Sequence, residues 1–321
     1  MGNHVRKIVL EEHYSHPSLA EYVGDLAEII EAQHMSFYKS RLLDLEDVRI
    51  REMDKNGVDV SVLSVTTPGV QVERNRDVAV KKARDVNDYL AGVIARHPTR
   101  LSGFCHLALQ DPKEAANELE RGVTQLGLRG ALINGHTNGE YLDDEKFWVV
   151  WERAEALGVP IYLHPANSPV LAPSIQGYPE MRGPAWEWGP ETAGHALRII
   201  YGGVFDRFPK ATLILGHMGE ALPFMMWRLD SRYVMMKHGK PIKQMPSQYI
   251  RENIVITTSG ACDVPALICS ILAIGADRIM FSIDYPYESS EDSVRFIEQA
   301  PISQMDREKI CHLNAARILK M

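Results

Sequence analysis

The chain has 321 residues, 45% of them hydrophobic and 24% charged, with a formal net charge of -7. That length can bury a large core without disulfide or metal staples, and an acidic balance with no basic run excludes a nucleic-acid partner. No apolar run approaches the ~20 residues that cross a bilayer as a helix, so no membrane span is expected.

The first residues, Met1 to Lys7, lead toward a strand and lack the apolar stretch of a secretion signal. Gly2 is not in a myristoylation context, because Arg6 stands where serine or threonine is needed. From there, short β-branched runs alternate with longer amphipathic ones. Strands are predicted at 7–11, 59–65, 101–107, 130–133, 160–164, 212–217, 253–257 and 278–284. Helices are predicted at 45–55, 76–97, 112–126, 144–157, 191–205, 220–237, 264–274 and 291–300, with a last helix at 304–319. Asp111-Pro112 supplies an N-cap and a first-turn proline, and Gly127 and Gly158 follow helix ends. The strands read as continuous apolar runs, the habit of buried parallel strands. Eight strand–helix units in one chain predict a single-domain (β/α)8 TIM barrel over residues 1–321. A doubly wound open sheet would need a glycine-rich phosphate loop after its first strand, where Glu-Glu-His-Tyr (11–14) stands instead.

Two insertions interrupt the pattern, at 14–40 after the first strand and at 165–190 after the fifth. The second carries six prolines and the tryptophans Trp186 and Trp188. Segments this long inside a compact domain are usually functional. The four cysteines, Cys105, Cys262, Cys269 and Cys311, show no Cys-x-x-Cys spacing, as expected of reduced thiols in a cytoplasmic protein.

In a barrel, the C-terminal strand ends converge on one mouth. Here those ends carry Glu11, His13, His164, His217 and Asp284. Imidazoles and carboxylates meeting at one point predict a divalent-metal site. Glu11 and His13 are two apart on an extended chain and so share a face, which leaves Glu12 pointing away.

Leu-Glu-Glu-His (10–13), Tyr-Leu-His-Pro (162–165), Ile-Leu-Gly-His-Met-Gly-Glu (214–220), Thr-Thr-Ser-Gly (257–260) and Phe-Ser-Ile-Asp-Tyr-Pro-Tyr-Glu (281–288) resemble the amidohydrolase superfamily. Within it they look like the branch of non-oxidative aromatic acid decarboxylases, and the retained Glu-x-His makes the likeness to γ-resorcylate decarboxylases the strongest. The resemblance implies that Glu11, His13, His164 and Asp284 are the metal ligands. It makes His217 a catalytic histidine oriented by Glu220, at the start of a helix, and Asp284 the general acid as well as a ligand. One divalent ion is implied, manganese or zinc first and magnesium as a further option. A second metal is not expected, because the fourth strand ends at Ile133-Asn134 and not at lysine. The implied substrate is a small aromatic acid, an ortho-hydroxybenzoate, and the reaction is reversible loss of carbon dioxide. Tyr287, Trp186 and Arg228 are candidate substrate contacts. Arg228 lies eleven residues beyond His217 and could serve a neighbouring subunit's site, since relatives form dimers and tetramers. A metal-dependent hydrolase of a lactone or amide, with Asp284 as general base, is the alternative that the same ligands leave open.

Overall fold

The computed structural model describes residues 5–22, 30–237 and 239–321. Nine strand segments run parallel: β1 Ile8–Tyr14, β2 Val60–Val65, β3 Leu101–Gly103, β4 Cys105–His106, β5 Ala131–Asn134, β6 Ile161–His164, β7 Leu213–Leu215, β8 Ile254–Thr257 and β9 Ile279–Met280. They pair in order, β1 to β3 and β4 to β9. β3 and β4 are two halves of one stave that changes partner at Phe104, whose N–H donates to Leu63 O while Cys105 N donates to Gly130 O. The staves therefore number eight, as predicted, and their sequence order is their spatial order.

Two cores result. Inside the staves lie Ile8, Leu10, Val60, Val62, Phe104, Leu132, Tyr162, Ile214, Val255 and Met280, with at least one residue from every stave. Ala315 and Leu319 of the closing helix cover the N-terminal end of this cluster. The larger core fills the space between staves and helices. Each large aliphatic side chain so buried contributes about 2 kcal/mol, and the barrel floor is packed solid, so the open end is the C-terminal mouth.

Helix ends follow their local signals. Asn75 accepts from the Asp77 and Val78 N–H groups, Asp111 caps the helix Pro112–Thr124, and Gly57 and Gly158 end helices in the left-handed region at φ 63° and 61°. Three departures stand out. The first insertion holds a helix, Ala32–Leu43, and begins later than expected, because Tyr14 is a buried member of β1. A helix at Pro246–Asn253 was not expected. The expected helix 304–319 is broken by a π turn at Lys309–Leu313, where Ile310 O leaves the helical ladder to accept Phe281 N at 2.7 Å.

Candidate metal centre

Glu11, His13, His164 and Asp284 each present one ligand atom, and these atoms all lie within 4.8 Å of one another. His13 and His164 come from regular strand positions. Glu11 comes from a bulge, because β1 shifts register against β2 between Val9 and Glu12. The bulge lets Leu10 enter the inner core while its neighbour Glu11 still reaches the mouth. Asp284 sits beyond β9 on a left-handed backbone, φ 79°, a conformation that carries strain for a residue other than glycine.

The free ends of these side chains face one another without satisfying one another. His13 Nε2 is 3.2 Å from Asp284 Oδ1, and His164 Nε2 is 3.3 Å from Glu11 Oε1. Glu11 Oε1, His13 Nε2 and Asp284 Oδ1 are buried and have no hydrogen-bond partner among the described residues. Buried polar groups are nearly always paired, so three orphans converging with an imidazole fit a divalent cation, and the mixed nitrogen and oxygen set suits manganese, zinc or magnesium. The other carboxylate oxygen of Glu11 is saturated, accepting from Tyr162 Oη, Ser259 Oγ and, at 3.4 Å, Thr257 Oγ1. Such partners fix a ligand's orientation. Burial and the neighbouring His13 push His164 well below its usual range, which keeps the imidazole neutral as a ligand must be.

Beside this cluster stands His217, its Nε2 3.5 Å from Glu11 Oε1 and 3.7 Å from Asp284 Oδ2. Its Nδ1 is 2.7 Å from Glu220 Oε1. Here the expectation of a helix starting at Glu220 needs correction. His217, Met218, Gly219, Glu220 and Ala221 all have positive φ, between 49° and 74°. They form a single left-handed turn, and the right-handed helix begins only at Leu222–Tyr233. The turn puts positions 217 and 220 on one side, so the imidazole and carboxylate meet. Gly216 permits the approach, since a Cβ there would lie 2.5 Å from Glu11 Oε2. Burial alone would lower the His217 pKa, but the carboxylates of Glu11 and Glu220 outweigh it and raise it well above the usual range. Burial alone would raise Asp284, yet the facing imidazoles of His13 and His217 hold it below the usual carboxylate range.

Above the cluster opens a chamber of about 400 Å3, walled by Tyr38, Thr67, Pro184, Trp188, Tyr287 and Glu288, with His164 and Asp284 on its floor. Tyr287 lies 5.7 Å from the His13 ring and bonds Thr66 Oγ1 at 2.6 Å. Trp188 lies 6.2 Å from the His164 ring and is pinned by Asn167 Oδ1 at 2.7 Å. Trp186 is 56% exposed and outside the chamber lining. Arg228 is exposed on the outer side of the helix Leu222–Tyr233, likewise away from the lining. Sequence reading gave no role to Tyr162, Thr257 and Ser259. The motif Thr-Thr-Ser-Gly (257–260) was their signal, since hydroxyls at a strand end face the mouth.

A profile of the amidohydrolase family matches residues 34–321. The chain belongs to that family. This amidohydrolase is 42% identical over 324 residues to the gamma-resorcylate decarboxylase of Polaromonas sp. (strain JS666), covering 98% of each chain. Its fold is similar to that of a dihydroxybenzoic acid decarboxylase from Polaromonas sp. JS666, solved with bound manganese and the inhibitor 2-nitroresorcinol (TM-score 0.92, 42% identity, 98% of this chain and 97% of that one). It is also similar to a 2,6-dihydroxybenzoate decarboxylase complexed with 2,6-dihydroxybenzoate (TM-score 0.91, 40% identity, 98% and 99%).

Proposed function

We propose that this amidohydrolase is a carboxy-lyase that removes carbon dioxide from an ortho-hydroxybenzoate, 2,6-dihydroxybenzoate before others, at one divalent cation held by Glu11, His13, His164 and Asp284. The observation that carries the reading is the set of four donors within 4.8 Å beside the His217–Glu220 pair. Relatives about 40% identical over the whole chain that bear decarboxylase names support it.

When bound, the ion would supply positive charge for the substrate carboxylate and its neighbouring phenolic oxygen. The protein's own groups do the rest. Trp188 and Tyr287 present aromatic surface to a planar ring. Direct loss of carbon dioxide would leave an aryl carbanion, so protonation of the ring carbon comes first. A proton is added at the carbon bearing the carboxylate, the bond to that carboxylate breaks, and its electron pair restores the aromatic ring. Asp284 is placed to deliver the proton, but its low proton affinity means that it does not store it. His217 does, with Glu220 stabilising the imidazolium and Asp284 Oδ2 3.7 Å away. The reverse sequence is a carboxylation.

No described helix is long and apolar enough to cross a membrane, and the four cysteines are free, as in a cytoplasmic enzyme. Phe224 and Trp227, 78% and 76% exposed on one helix, suit burial against a second copy in a homodimer or homotetramer.

Incubation with 2,6-dihydroxybenzoate should yield resorcinol and carbon dioxide in equal amounts. The activity should vanish on chelation and return with manganese. Activity indifferent to chelators, or hydrolysis of lactones and amides with no release of carbon dioxide, overturns the reading.

A further inference from the structure

The first and last staves of the barrel meet without a backbone ladder among the described residues, and side chains take its place. The bulge in β1 turns the successive N–H groups of Leu10 and Glu11 to one side, where both donate to Ser282 Oγ, at 3.0 and 2.7 Å. The Ser282 hydroxyl lies 3.3 Å from Glu12 Oε1, which also accepts Ile283 N at 3.0 Å. A hydroxyl offers two lone pairs and one proton. Ser282, fully buried, uses all three on this seam. Its backbone is held in turn by Thr258, whose Oγ1 accepts Ser282 N at 3.1 Å and donates to Ser282 O at 3.0 Å. One step along, His13 N donates to Tyr285 O at 2.7 Å, while buried Arg49 donates to His13 O and lies 4.6 Å over the Tyr285 ring.

The residues joined in this way carry or adjoin three of the four donors: Glu11 and His13 on one side, Asp284 on the other. We propose that Ser282 and Glu12 are positioning residues that set the separation of the Glu11–His13 pair from Asp284, and so the affinity and symmetry of the cation site. The proposal rests on the metal reading above. Neither side chain lines the chamber, so both act through the main chain of the ligands. A ladder between staves would fix the average spacing of two strands. Here one hydroxyl and one carboxylate, together with the backbone bond from His13 N to Tyr285 O, fix it at the ligands themselves.

Manganese affinity, read by competition with a chromophoric chelator, and the manganese EPR spectrum test this on the wild type, Ser282→Ala, Glu12→Leu and Glu12→Gln. Thermal midpoints of the metal-free proteins are measured alongside. Ser282→Ala and Glu12→Leu should weaken manganese binding roughly 10–100-fold and broaden the spectrum, whereas Glu12→Gln, which keeps an acceptor for Ile283 N, should stay within about threefold of wild type. Lowered metal-free midpoints with wild-type manganese affinity would mean plain structural support and would overturn the proposal. If Ser282→Ala does not fold, the Leu and Gln variants at position 12 decide by the same criterion. A wild type that binds no manganese removes the metal reading itself, and this proposal with it.

Discussion

Glu11, His13 and His164 ride on hydrogen-bonded staves and are buried, whereas Tyr38 and Trp188, which wall the same chamber, belong to helices in or just beyond the two insertions, and Pro184 to a one-turn helix. The floor is set largely by strand register and the walls by the helices and loops of the insertions. The contrast assigns the chemistry to the rigid side and the choice of substrate to the adaptable one. Changes on the floor should therefore strike turnover, and changes in the walls should strike substrate affinity.

The largest effect is expected from Asp284→Asn, which should lower kcat about 10^2–10^4-fold while leaving substantial manganese affinity, measured by chelator competition. Retention of more than a few per cent of activity would refute Asp284 as the acid. Next comes Glu220→Gln, which keeps the hydrogen bond to His217 but removes the charge. A loss in kcat of about 10–100-fold is expected, with the alkaline limb of the pH profile moved to lower pH because the imidazolium loses a stabilising carboxylate. An unmoved limb would break the assignment of His217 as proton store.

A stability measurement probes how the walls are anchored. His195 Nε2 accepts Leu142 N at 2.8 Å and His106 Nε2 accepts Val70 N at 2.9 Å. Burial pushes both down to about 3. Their folded pKa lies below the unfolded value, so this stability is complete above pH ~6.5 and is lost as pH falls toward 3, at most on the order of 1.4 kcal/mol per pH unit for each group. Denaturant titrations at several pH values should show that slope, and His195→Gln should reduce it. The smallest effects lie at the tryptophans. Trp188→Ala should raise KM about 2–10-fold with little change in kcat, and Trp186→Ala should alter KM by under about twofold. The opposite order would show that the exposed ring, not the pinned one, meets the substrate.

The same division explains what could be read in advance. Strand ends are legible because apolar runs stop abruptly at His164 and His217, and in a barrel all such ends face one mouth. The floor was therefore visible as a set of residue types. The bulge at Leu10–Glu11 was not, since β1 is buried along its whole length and offers no alternation for a one-residue shift to break. The turn at 217–221 was hidden as well, because Met218, Glu220 and Ala221 carry no local preference for the positive φ they adopt. The walls were least legible. In the second insertion, one-turn helices at Pro173–Ile175, Pro179–Met181 and Gly183–Ala185 have no periodicity that assigns a face, so Trp186 and Trp188 could not be told apart.

The left-handed turn also bears on engineering. Ala221, exposed at the end of that turn, holds a hand that costs an L-residue roughly 1–2 kcal/mol, and a screen for heat-resistant variants would favour glycine there. Such a variant would gain melting temperature while loosening the segment that carries His217. Thermostability and turnover should diverge first at this position.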